Sequence, residues 1–201
     1  ISLVPGLSTH GRLNSQVINA ISINMLGGYS GGTKGLEIGG FFNINKKNVS
    51  YLQAATLFNI VGGNVTGLQV AGANNAVLGD VIGLQSAIGN NWVRGNFTGL
   101  QLAGFSNVSN KEVRGVQIAL FNYAKKLKGV QFGLINVADT SNGYSIGLVN
   151  IVFKGYHKLS VSTNETMNVN FAFKTGNSKL YSILLGGINT KTNEKAYSFG
   201  Y

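Results

Sequence analysis

The chain has 201 residues, no cysteine, a net charge of +10, 29 glycines, and 44% hydrophobic against only 11% charged residues. One domain is the expectation at this length, a disulfide framework is excluded, and no apolar run reaches the roughly 18 residues of a membrane-crossing helix. The bases are dispersed among turns and form no stripe interleaved with aromatics, which argues against a nucleic-acid face.

Residues 1–8 alternate as a short strand, 9–16 read as a loop, and 17–28 alternate Ile21, Ile23 and Met25 against Ala20, Ser22 and Asn24 before turning at Ser30-Gly31-Gly32. From about residue 35 to 137 one phrase recurs: Gly-Leu/Val-Gln, a small residue two positions on, then an Asn. It starts at Gly35, Tyr51 (in the glycine slot), Gly67, Gly83, Gly99, Gly115 and Gly129, in steps of 16 with a last step of 14. The third position reads Glu37, Gln53, Gln69, Gln85, Gln101, Gln117 and Gln131. A fixed short period means one structural unit repeated, each unit buried against the next.

Polar breakers cluster once per period, at Gly62-Gly63-Asn64, Leu78-Gly79-Asp80, Arg94-Gly95-Asn96, Asn110-Lys111-Glu112 and Lys125-Lys126. Such pairs suit hairpin turns. They predict uninterrupted strands over 33–45, 49–60, 65–77, 81–93, 97–108, 113–124 and 127–137. Within one, Gly67, Gln69, Ala71 and Ala73 share a face opposite Leu68, Val70 and Gly72, because strand side chains have a period of two. After the repeats, 144–154, 158–163, 167–174, 179–189 and 195–201 keep the alternation; the fold class is all-β.

A small, amide-rich face against an aliphatic one is inside-out for a soluble sandwich and matches the strands of a membrane barrel. Thirteen residues at about 3.3 Å, tilted about 40°, project to roughly 33 Å of membrane normal. The preferred expectation is therefore an antiparallel up-and-down transmembrane β-barrel of about 14 strands, a single domain over 1–201, with the seven third-position side chains facing the lumen. The rival is a β-solenoid with 16-residue coils, in which the Gln positions stack as one ladder and Asn59, Asn75, Asn91 and Asn107 as another.

Sorting charges by turn order puts Lys34, Arg94, Lys125, Lys126, Lys128, Lys154, Lys158, Lys174 and Lys179 on even-numbered turns, with no acid. Odd-numbered turns mix Arg12, Lys46, Lys47, Lys111, Arg114, Lys191 and Lys195 with Asp80, Glu112, Asp139, Glu165 and Glu194. In a meander these sets lie at opposite ends, which predicts a strongly basic periplasmic rim beside both termini. Tyr29, Tyr51, Trp92, Phe97, Tyr123, Tyr144, Phe153 and Tyr156 fall near strand ends, where an aromatic girdle would sit.

Candidate chemistry is thin. His10 and His157 lie in or beside loops; Ser8 near His10 lacks an acid; Gly28 to Lys34 lacks the ending of a phosphate loop. Five Asn-X-Ser/Thr sequons, as at Asn64-Val65-Thr66, are explained by Asn closing a turn before a strand. No enzyme activity, cofactor or metal is expected.

The Gly-Leu-Gln phrase with its Gly-Gly-Asn turns, the preceding Gly-Gly-Tyr-Ser-Gly-Gly and the opening Leu-Val-Pro-Gly-Leu-Ser resemble a family of surface-repeat outer-membrane proteins of Bacteroidota. The resemblance covers nearly the whole chain and implies β-architecture and location in the cell outer membrane, with no substrate or catalytic residue. The expected function is a passive pore or a structural subunit of an outer-membrane complex, with membrane lipid and other outer-membrane proteins as partners. The alternative is a surface-exposed β-solenoid for adhesion or interaction.

Overall fold

The computed structural model describes residues 1–5, 7–8, 11–165, 167–189 and 196–201. It overturns the barrel and gives the rival: a parallel β-solenoid of about eight turns, followed by a small antiparallel sheet. Each predicted 13-residue strand is folded in two. Residues 65–77, for instance, form a long arm Val65–Ala71 and a short arm Asn74–Val77, joined by a tight corner at Gly72-Ala73.

Equivalent arms stack in parallel one repeat apart, so that Gln53 pairs with Gln69, Gln69 with Gln85, and Gln85 with Gln101. Asn59, Asn75, Asn91 and Asn107 register in the same way on the short arms. Parallel strands cannot be joined by hairpins; the second arm and its two corners are the crossover that brings the chain back to the next level.

The interior of a coil has two zones. Toward the corner rich in Gly, Asn and Lys, valines from both arms form the hydrophobic core with Phe97 and Leu127: Val49, Val61, Val65, Val77, Val81 and Val93 among them. Toward the other corner the interior is amide. Gln53, Gln69, Gln85, Gln101, Gln117 and Gln131 are fully buried, as is Glu37 at the head of their row. Each Gln Nε2 donates to the Oε1 one coil below, at 2.7–2.9 Å from Gln69 to Gln131.

The Asn row does two jobs. Asn75 Nδ2 donates to Asn91 Oδ1 at 2.9 Å and to the Ser86 carbonyl at 2.8 Å, and Asn59, Asn91 and Asn107 repeat the pattern. The second bond captures a carbonyl at the corner, where the arms diverge. Buried amides are tolerable only when paired in this way.

Between Val65 and Gln69 the arm bends at Gly67, with φ +123°, and equivalent positive values recur at Gly83, Gly99 and Gly115. A Cβ at Gly99 would overlap the Gly83 carbonyl of the coil below, and Gly67, Gly83 and Gly115 meet the same obstacle, so these four positions require glycine. Tyr51 is the exception, held at φ 73° with its ring 74% exposed.

The step from 16 to 14 has a local cause. From Ala103 to Asn107 is four positions but from Ala119 to Asn122 three; from Ser109 to Val113 is four but from Ala124 to Leu127 three. Each corner loses one residue, with a register shift between Ser109 and Glu112, while both arms keep their stacking.

Both ends of the stack are covered, as an open solenoid edge would otherwise offer unpaired backbone. At the start, Ser2–Val4 lies along Ile18–Asn24, and Asn14 of the 3-10 helix Gly11–Ser15 donates to the Tyr29 carbonyl at 2.7 Å. At the finish, Tyr156–Ser162, Val169–Gly176, Tyr181–Asn189 and Ala196–Gly200 form a four-stranded antiparallel meander, near the expected positions. Its Ser182 accepts from Asn150 at 2.7 Å, and its Asn177 donates to the Gly143 carbonyl at 2.7 Å, closing the last coil. The expected strand at 144–154 is itself a coil, Tyr144–Ile146 plus Val149–Val152.

Candidate functional site

What distinguishes this solenoid is its polarity. The outer side of the long arms carries two aliphatic rows that run through successive coils: Ile21, Leu36, Leu52, Leu68, Leu84, Leu100, Val116 and Val130, and beside them Ile23, Ile38, Ala54, Val70, Ser86, Leu102, Ile118 and Phe132. The outer side of the short arms carries Tyr29, Ile44, Ile60, Ala76, Trp92, Val108, Tyr123, Val137 and Ile151.

The corner between Ala71 and Asn74, and its equivalents, makes an edge of Met25, Leu26, Phe41, Leu57, Ile88, Phe105, Leu120, Leu134 and Leu148. All are exposed, up to 78% at Ile88. Among the described residues no ionisable side chain stands on this edge; its polar members are Thr56 and a short row of Asn74, Asn90 and Ser106 that bond one another at 2.7–2.8 Å.

The charges gather on the opposite edge. Lys34, Lys46, Lys47, Arg94, Lys111, Arg114, Lys125, Lys126, Lys128 and Lys154 stand on it or at the adjoining start of a long arm, with Asp80, Glu112 and Asp139: among the described residues, ten bases against three acids. Glu112 meets Arg114, with Lys128 at 3.1 Å and Lys126 at 3.3 Å, and these partners hold its carboxyl down to about 2. An Asx row threads the edge, Asp80 N bonding Asn64 Oδ1 at 2.8 Å and Asn64 N bonding Asn48 Oδ1 at 2.9 Å.

The expected two rims are therefore corrected. Lys34, Arg94, Lys125, Lys126, Lys128 and Lys154 share one edge with Lys46, Lys47, Lys111 and Arg114, because every repeat makes two corners and each breaker cluster returns to the same side. Lys158, Lys174 and Lys179 belong to the antiparallel sheet, where Lys179 Nζ donates to the Asn142 carbonyl at 2.9 Å. Arg12 falls in the 3-10 helix; Lys191, Lys195, Glu194 and the loop at 190–194 lie outside the described residues, as does His10.

The expected lumen is corrected as well. Glu37, Gln53, Gln69, Gln85, Gln101, Gln117 and Gln131 face the interior, but that interior is filled by their own ladder rather than by solvent. Burial pushes the Glu37 carboxyl above its ordinary 4.5, opposed by donors from Gln53, Asn45 and Asn24.

Of the aromatics, Phe97 is core, whereas Tyr29, Tyr51, Trp92 and Tyr123 stand on the outer faces next to the charged edge. Lys46 Nζ lies 5.5 Å from the Tyr29 ring, and Tyr123 donates to Asp139 at 3.1 Å. His157 is exposed, with Nε2 3.3 Å from the Phe153 carbonyl. Among the described residues no cluster of three His, Cys, Asp or Glu could hold a metal.

The apolar edge escaped the sequence reading because no charged residue marks its corners; an apolar residue one or two positions after the Ala in four of the repeats, Leu57, Ile88, Phe105 and Leu120, was the available signal. Compared with known proteins, this chain matches no protein-family model, no curated protein and no solved structure.

Proposed function

We propose that this chain is a non-catalytic interaction protein of the cell outer membrane, a β-solenoid that works through its apolar outer surface. The observation that carries the reading is the inversion of polarity around one closed coil. Beside its valine core the interior locks in two rows of amides, while aliphatic side chains stand outside on both faces and one edge. Apolar exposure on this scale exceeds the scattered exposed side chains normal for a monomer and marks a surface made to be covered. The antiparallel sheet extends the theme: Leu159, Val161, Val169, Phe171, Phe173, Leu184 and Phe199 project from one of its faces and are exposed.

Light scattering coupled to size exclusion tests this. The full chain should self-associate in plain buffer and become monodisperse in mild detergent. Ile88→Asp with Phe105→Asp, at 78% and 61% exposed sites, should raise the monomer fraction without changing the far-ultraviolet dichroism. A wild-type monomer in plain buffer that binds no hydrophobic dye contradicts the proposal.

A further inference from the structure

We infer that the partner covering this surface is an anionic lipid bilayer, entered apolar edge first through a single leaflet, with the charged edge resting among the head groups. The inference rests on the reading above and names its partner. The apolar surface wraps from the outer rows of the long arms, around the Ile88 and Phe105 edge, onto the outer rows of the short arms. A folded protein partner covers one face; a fluid of hydrocarbon chains covers two opposite faces and the edge between them.

From the basic edge the outer side chains pass from Lys and Arg, to Tyr29, Tyr51, Trp92 and Tyr123, and then to a surface mainly of Leu, Ile, Val, Phe and Met, in which the polar members are Thr56, Ser86 and the mutually bonded Asn74, Asn90 and Ser106. Bases attracted to anionic head groups, amphipathic rings at the interface and aliphatics below them are the depth order of a membrane. The ten bases against three acids give that edge the sign that complements anionic lipid.

Hydrocarbon offers no hydrogen bonds, so a segment that enters it must pair its own polar groups. At the apolar corner Ala73 N donates to Leu57 O at 2.8 Å, Gly89 N to Ala73 O at 3.0 Å and Phe105 N to Gly89 O at 2.9 Å, while the Asn row captures the neighbouring carbonyls. Both ends of the stack are covered, as described above.

Dimensions agree. A seven-residue long arm spans roughly 20 Å from edge to edge, against roughly 15 Å for the hydrocarbon of one leaflet plus its head-group zone.

The single tryptophan, Trp92, supplies the test without mutation. The full chain is mixed with vesicles containing one-third anionic phospholipid and nitroxide labels at either the head group or mid-chain. Trp92 should be quenched best by the shallow label, and Phe105→Trp in a Trp92→Phe background best by the deep one. Ile88→Asp with Phe105→Asp should lower vesicle partitioning at least tenfold. Arg94→Ser and Lys126→Ser should each lower binding to anionic vesicles by up to about fivefold at low salt, and less at high salt. Equal depth for the two tryptophans overturns the inference. So does a chain that self-associates through these faces yet ignores vesicles, a result that leaves the proposed function standing. A chain that stays monomeric and ignores both vesicles and detergent overturns both.

Discussion

Replacing Gln85 with Met isolates what the amide ladder contributes. The side chain is fully buried, donates to Gln69 Oε1 at 2.7 Å and accepts from Gln101 Nε2 at 2.8 Å. Met fills nearly the same volume and makes neither bond, so Gln69 Oε1 loses its donor and Gln101 Nε2 loses its acceptor. A buried polar group left unpaired costs about 1–3 kcal/mol, and two give about 2–6 kcal/mol. The ladder makes a sharper claim in the triple variant Gln69→Met, Gln85→Met, Gln101→Met. Only its two ends are then orphaned, Gln53 Oε1 and Gln117 Nε2, and the latter keeps a 3.4 Å approach to the Tyr123 carbonyl. The triple should therefore cost no more than the single, where independent sites would cost three times as much. Urea unfolding followed by far-ultraviolet dichroism and Trp92 emission measures both. A single variant within about 0.5 kcal/mol of wild type, or a triple costing three times the single, refutes the ladder.

Tyr51→Gly should raise stability by about 1 kcal/mol, because it releases a left-handed backbone at φ 73° that costs an L-residue about 1–3 kcal/mol and adds back part of that as glycine entropy; thermal melting checks it, and a loss would show that the exposed ring packs. Gly99→Ala, at φ +130° with its Cβ driven onto the Gly83 carbonyl, should cost about 2–6 kcal/mol in the same melt, and a neutral result would show that the coils are not in register there. Glu37→Gln should flatten the pH dependence of stability. Because burial raises the folded pKa above the ordinary 4.5, the folded chain holds a proton that the unfolded chain has lost, so wild-type stability falls as pH rises from about 4.5 through the folded value. Urea midpoints at pH 4 and pH 8 should differ in wild type by more than in the variant; equal differences would place Glu37 in water.

The period, the inward amides and the outward aliphatics were all legible in the phrase that places Leu68, Gln69 and Val70 side by side. The closing meander near 158–201 was legible too, since Asn168 and Asn170 alternate with Val169 and Phe171 along one segment and the turn that follows, Thr175-Gly176-Asn177, is hairpin-sized. The second corner was not. At Gly72-Ala73 and Ile88-Gly89 the chain reverses without Asn, Asp or Lys, because the coil below pairs its N–H groups and the Asn side chain, already credited to the strand, pairs its carbonyl. Missing one corner per repeat made a folded coil look like one 13-residue strand, and an inside-out coil then resembled a barrel. It also sent alternate breaker clusters to opposite ends, so a single basic edge was divided between two rims. The loss of one residue at each of two places in the shortened repeat, after Ala119 and after Ala124, was the sequence clue that a repeat has two corners.

The parallel stack itself is tested most directly by a disulfide between successive breaker clusters. Asp80 N lies 2.8 Å from Asn64 Oδ1, one coil apart and roughly 5 Å along the stack, within reach of a disulfide. The chain has no native cysteine, so Asn64→Cys with Asp80→Cys reports without background. The solenoid predicts near-complete intramolecular cross-linking under mild oxidation, seen as a faster-migrating monomer on non-reducing gels. In a meander of 13-residue strands the same two residues sit at opposite ends, roughly 40 Å apart. A chain that stays uncross-linked, or links only between molecules, contradicts the account.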